Sequence, residues 1–199
     1  RMILEVFPEP IYQAKVGLTE QELSYFKTAR LDGDYRNTYG NSTSNDNFVL
    51  DNPDLSALRS NINEHLNNYL QYVIGASDVS LQITQSWLNF NDYATSHHTH
   101  THVNSIVSGV IYLTPDPAPL VVFRRQDYFP IRPLITNMTE YNNPMKVIEV
   151  EMGDILLFPS QMPHGVQANK TNRTRTSLAF NTFYKGVLGS KQNLTYLEI

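Results

Sequence analysis

Near residue 80 the apolar residues of this 199-residue chain stop recurring every three or four positions and begin to fall in short runs. Before that point Leu55, Leu58, Ile62, Leu66, Leu70 and Val73 mark one face of a helix from Pro53 to about Ile74, behind an Asp51/Asn52 cap and a proline in the first turn. Thr19 and Glu22 have the spacing of a capping box, and Leu23, Phe26 and Leu31 give an earlier helix its apolar side. After it come "SLQITQSWLNF", "SIVSGVIYL", "PLVVF", "KVIEVE", "DILLFP", "HGVQA" and "RTSLAFNTFY", separated by turn residues. Seven short strands suit a sandwich or jelly-roll barrel, with the two N-terminal helices packed on its outer face. We therefore expect a mainly β fold in one domain over 1–199, helical to about residue 75 and a β-barrel over about 80–185. "DGDYRNTYGNSTSNDN" reads as a surface loop, and the long connection Arg124 to Met145 as an extra hairpin or a lid.

The chain has no cysteine, so any transition metal must be held by imidazole and oxygen donors. A formal charge of -4 gives no general attraction to nucleic acid or anionic lipid. No apolar run approaches the roughly 20 residues of a membrane span, and the apolar start before Pro8 is too short for a signal-peptide core, so a cytoplasmic location is expected.

Four of the six histidines lie within "HHTHTH", residues 97–102. His98, His100 and His102 alternate, so an extended segment points them to one side, where two can grip one ion. His164 can supply a third ligand, because it follows the strand Asp154 to Phe158 and a turn between Pro159 and Pro163. A shifted pair, His98 with His100, is formally open. His97 and His98 otherwise read as solvated loop residues, His65 as a packing or surface residue of its helix, Trp87 as core, and Asp154 as part of a Gly-Asp turn. Asp92 is a remote substitute ligand.

The motifs Trp87 to Asn89, His100 to His102, "SGVIYL" (Ser108 to Leu113), Leu156 to His164 and Arg175 to Asn181 resemble those of a family of 2-oxoglutarate/Fe(II)-dependent oxygenases. That family lies in the prolyl-4-hydroxylase-like superfamily and includes bacteriophage members. The resemblance covers about the last 120 residues. It implies a double-stranded β-helix, the cupin-like jelly roll, with Fe(II) held by His100, His102 and His164. It also implies an oxidoreductase, a dioxygenase of hydroxylase type, that uses O2 and couples decarboxylation of 2-oxoglutarate to succinate with oxidation of a small-molecule or peptidyl substrate. A phage-encoded member would act in the host cytoplasm. In such a protein Arg175 anchors the distal carboxylate of 2-oxoglutarate as a bidentate donor, with Ser177 and Asn181 on its strand face and Tyr112 and Asn89 as further polar contacts. The superfamily usually has Asp or Glu where this chain has His102. Loss of that carboxylate weakens Fe(II) retention relative to Zn(II) or Cu(II). A three-His zinc hydrolase, a cupin-type dioxygenase without co-substrate, and a metal-binding module without turnover are the alternatives.

Overall fold

The computed structural model describes residues 2–31, 35–37, 40–125, 131 and 133–199. In chain order the elements are β1 (Tyr12–Lys15), α1 (Glu20–Leu31), β2 (Tyr35–Asn37), β3 (Ser42–Ser44), α2 (Ser56–Tyr69), β4 (Val79–Asn91) and β5 (His97–His100), followed by β6 (Val107–Tyr112), β7 (Leu120–Phe123), β8 (Met145–Ile148), β9 (Asp154–Pro159), β10 (His164–Val166), β11 (Arg175–Leu188) and β12 (Leu197–Glu198). Among the described residues the fold is mainly β, with two α-helices and two sheets. The larger sheet runs β1-β9-β6-β11-β4-β3-β2, with β12 added to β11, and the smaller runs β5-β10-β7-β8.

α1 starts where its cap dictates, and α2 is entered through a capped turn. The Glu22 carboxylate accepts from the Thr19 amide at 2.8 Å and the Thr19 hydroxyl accepts from the Glu22 amide at 3.2 Å, which closes the capping box. Asn52 accepts from the Asp54 amide at 3.0 Å and caps the short turn Pro53–Leu55 that leads into α2. The π-turn Leu70–Ile74 ends that helix at Gly75, whose φ of 75° is the left-handed conformation glycine adopts freely.

Alternation along β11 divides the apolar residues between two cores. Leu178 and Phe180 face one way and join Leu88, Ile111, Ile155 and Leu157, against which Leu55, Leu58, Ile62 and Leu66 of the α2 region pack. Burying those four helix side chains is worth up to about 2 kcal/mol each. The opposite face carries Tyr112, Leu156 and Phe158, which meet Leu120 of the smaller sheet and Met162. His65 serves the packing: its Nδ1 lies 2.9 Å from the Tyr12 hydroxyl.

The ring of Phe180 lies over its ladder partner Gly109, where a Cβ would overlap it, and that ring is fully buried and cannot swing aside. Gly109→Ala is therefore expected to destabilise the protein by about 1–3 kcal/mol, read as a lower urea midpoint with an unchanged m-value.

One expectation needs correction and another is extended. The Asn- and Ser-rich stretch after α1 is not simply a surface loop. It contains β2 and β3, and Ser42 and Thr43 pair with Phe90 and Asn89 in a buried position. Its polar composition conceals this because its pairing is through backbone groups, and a hydroxyl such as that of Ser44 is satisfied in place, accepting from the Leu88 amide at 3.0 Å. Asp154, besides closing the turn through the Glu151 amide at 2.8 Å, pairs with Lys15 of β1 at 2.7 Å. The proposed lid, Arg124 to Met145, lies partly outside the described residues. No helix among the described residues is long and apolar enough to cross a membrane.

Candidate metal and co-substrate site

Sheet register brings the two histidine motifs together. In the smaller sheet His164 of β10 pairs directly with His100 of β5, and their ring centroids are 4.4 Å apart. β5 ends at His100, so His102 is carried by the following turn. Its amide donates to the Ser160 carbonyl at 2.9 Å, and its own carbonyl accepts from Gln161 Nε2 at 3.0 Å. Both sides of the "HTH" motif are thus tied to the segment that ends in His164.

The three rings offer nitrogens that lie within 4.8 Å of one another. His100 Nδ1 is 2.8 Å from the His98 carbonyl oxygen and His164 Nδ1 is 2.9 Å from that of Met162. A carbonyl only accepts, so each Nδ1 carries the proton and each Nε2 turns a lone pair inward. His102 Nε2 sits 3.3 Å from His164 Nε2. Two nitrogens bound about 2.0–2.1 Å from one ion are separated by roughly 3.0–3.4 Å, so this spacing suits a shared cation.

Burial keeps these imidazoles neutral. It pushes His97 and His102 down to about 3 and His164 to about 4, and lowers His100, with neighbouring rings adding repulsion. In the unfolded chain each would titrate near 6.5, so between about pH 4 and 6.5 the unfolded state binds protons that the folded state refuses. The stability this contributes is full above pH 6.5 and is lost as the pH falls. In a metal-free sample the unfolding free energy from urea titrations is expected to drop between pH 7 and pH 5, by roughly 1 kcal/mol per pH unit for each such histidine. A flat profile would contradict the burial of neutral rings.

The larger sheet supplies the other wall. β11 lies between β4 and β6, with Arg175 opposite Asn91, Ser177 between Asn89 and Tyr112, and Ala179 between Trp87 and Val110. Residues paired across an antiparallel ladder share a face. Accordingly Trp87, Asn89, Tyr112, Ser177 and Arg175 line one cavity together with His100, His102 and His164. Arg175 is 4 % exposed, and its Nη2 donates to Asn91 Oδ1 at 2.7 Å. Its Nε and Nη1 and the Tyr112 hydroxyl are buried with no hydrogen-bond partner among the described residues. Burial lowers the Arg175 pKa and raises that of Tyr112. A buried cation with two idle donors beside an idle hydroxyl suits a carboxylate ligand.

Residues 85–181 match the family model described as "Putative 2OG-Fe(II) oxygenase". This stretch belongs to the 2OG-Fe(II) oxygenase family. By family, it is that of a 2-oxoglutarate-dependent oxygenase. No curated protein matches the chain at a significant level. Among solved structures, HygX from Streptomyces hygroscopicus, with nickel, 2-oxoglutarate and hygromycin B bound, is 14% identical at a TM-score of 0.59, over 87% of this chain and 82% of that one. A Trichoplax adhaerens prolyl hydroxylase in complex with a hypoxia inducible factor peptide fragment is 14% identical at 0.60, over 87% and 83%. A Pseudomonas putida prolyl-4-hydroxylase is also 14% identical, at 0.57, over 87% and 92%.

The 2OG-Fe(II) oxygenase stretch departs from the sequence expectations in several side chains. His97 is not a solvated loop residue: it belongs to β5, lines the cavity and stacks on His100 at 4.4 Å. His98 is exposed but also belongs to β5 rather than to a loop. Trp87 lines the cavity with its ring 5.8 Å from that of His102, and is not simply core. Asn181 is not brought to the cavity wall. It accepts from Ser108 at 2.9 Å, and Ser108 is linked in turn to Ser160 at 2.8 Å. Asp92 accepts from the Thr174 hydroxyl at 2.6 Å, away from the three nitrogens. Sequence reasoning missed Asn91 and Trp87, although both fall two residues from Asn89 on the same strand face.

Proposed function

We propose that the two sheets form a double-stranded β-helix, with the helices on its outside, and that the chain is an Fe(II)- and 2-oxoglutarate-dependent hydroxylase acting on a small-molecule or peptidyl substrate. In this reading the helical part and the barrel make one domain. His100, His102 and His164 would hold the metal, and Arg175 and Tyr112 the distal carboxylate of 2-oxoglutarate, with Ser177 and Asn89 beside them. The observation that carries the reading is the buried Arg175 guanidinium with two unpartnered donors, facing the same cavity as the three imidazoles. A three-His zinc or co-substrate-free site would leave that buried charge without a counterpart.

When bound, Fe(II) and 2-oxoglutarate would supply the oxidation itself, the coupled conversion of 2-oxoglutarate and O2 to succinate, CO2 and an oxidised substrate. The protein's share is placement. The carbonyls of His98 and Met162 fix the rings of His100 and His164 in the tautomer that presents Nε2. Asn91 orients Arg175 from the neighbouring strand, and Leu120, Val110 and Phe158 keep the enclosed space dry. Asn181 acts indirectly, through Ser108 and Ser160, on the segment that bonds His102.

Anaerobic addition of Fe(II) and 2-oxoglutarate is expected to produce a visible charge-transfer band, and admission of O2 should then release succinate. Metal uptake without any effect of 2-oxoglutarate would favour the zinc-type reading.

A further inference from the structure

The donors that surround the proposed metal are electrically neutral. Each of the three nitrogens belongs to an imidazole, two of them in rings whose Nδ1–H groups are committed to carbonyls. Among the described residues the cavity is lined by no aspartate or glutamate, and its polar members, Trp87, Asn89, His97, Tyr112, Ser177 and Arg175, all carry N–H or O–H donors. The carboxylates nearest in sequence are engaged elsewhere, Asp92 with Thr174 and Asp154 with Lys15.

Charge can therefore be counted. A divalent cation and the Arg175 guanidinium bring three positive charges, and 2-oxoglutarate brings two negative ones. One positive charge is left over in a buried, donor-lined space, where it is screened far less than in water. An aspartate at position 102 would have cancelled it.

Resting on the three-His reading above, we propose that this centre takes a small monoanion as an additional metal donor, either a free inorganic anion or the carboxylate of a substrate. The exchange is a plain ligand substitution in which a neutral donor leaves as the anion enters, with no change of oxidation state. His102 is then the residue that sets this preference, since it decides whether the protein itself supplies the missing negative charge.

The test uses the full chain loaded with Co(II), whose visible ligand-field bands report both metal uptake and coordination. With 2-oxoglutarate present at saturation, sodium azide and sodium acetate are titrated separately against the wild-type protein, His102→Asp and His102→Asn. Saturable change in the wild-type spectrum is expected, with affinity lower by about tenfold or more in His102→Asp and largely kept in His102→Asn, which has the same shape without the charge. Tighter binding of acetate points to a substrate carboxylate, and tighter binding of azide to a free inorganic anion. A spectrum indifferent to both anions, or equal affinity in wild type and His102→Asp, overturns the proposal while leaving the metal site intact. Failure to take up Co(II) at all would instead remove the three-His centre, and the proposal with it.

Discussion

Arg175→Met is expected to weaken 2-oxoglutarate binding severely and, at the same time, to raise the stability of the ligand-free protein. The two effects have opposite signs because the guanidinium is buried for a ligand rather than for the fold. It is 4 % exposed, its Nη2 donates to the neutral Asn91 side chain, and Nε and Nη1 have no partner among the described residues. Burial already lowers its pKa, which is the mark of a charge held at a cost. Replacing a poorly paired buried ion with an apolar side chain of similar length is worth roughly 1–4 kcal/mol of stability. Loss of the partner of a buried carboxylate costs about 2–5 kcal/mol of binding, so the dissociation constant should rise by roughly 30-fold to a few thousand-fold. Arg175→Lys keeps a charge but not the fork, and should fall between. Calorimetric titration with 2-oxoglutarate and thermal melts with and without it read both effects. Unchanged binding by Arg175→Met would detach the co-substrate from this end of the cavity.

The second large effect concerns the metal. His164 is buried, faces both His100 and His102, and has its ring fixed by the Met162 carbonyl. His164→Ala removes one of three donors and leaves two imidazoles around an enlarged space, so divalent metal affinity should drop by about two orders of magnitude or more. His97→Ala is the control. His97 stacks on His100 but is not one of the three residues whose donor atoms cluster, so its loss should change metal affinity by no more than a few fold. Equilibrium dialysis with Ni(II) or Co(II) distinguishes the two. Equal losses would mean that the cluster is organised differently.

The parts of this architecture that can be read from sequence are those written in apolar periodicity or in caps. Thr19 with Glu22 and the run from Leu55 to Leu66 locate the helices. The alternation of Arg175, Ser177 and Ala179 with Leu178 and Phe180 gives β11 its two faces. β5 was not legible: "HHTH" has no apolar rhythm, and it is a strand because β10 pairs with it. β1 is too short to signal itself and is held by its register with β9, Tyr12 to Leu157 through Lys15 to Asp154. The same limit applies within the cavity. His97 and Trp87 reach it through the packing of one sheet on another, which no local pattern encodes. Asn181 keeps the register of Ser177 and Ala179 but is held beyond the cavity wall, where it accepts from Ser108.

The most direct test is a crystal of the protein soaked with Co(II) and measured at the cobalt absorption edge. One anomalous peak is expected, about 2.0–2.2 Å from nitrogens of His100, His102 and His164. A peak bound instead through His98 or Asp92, or no peak near these three rings at a concentration that saturates dialysis, would contradict the account.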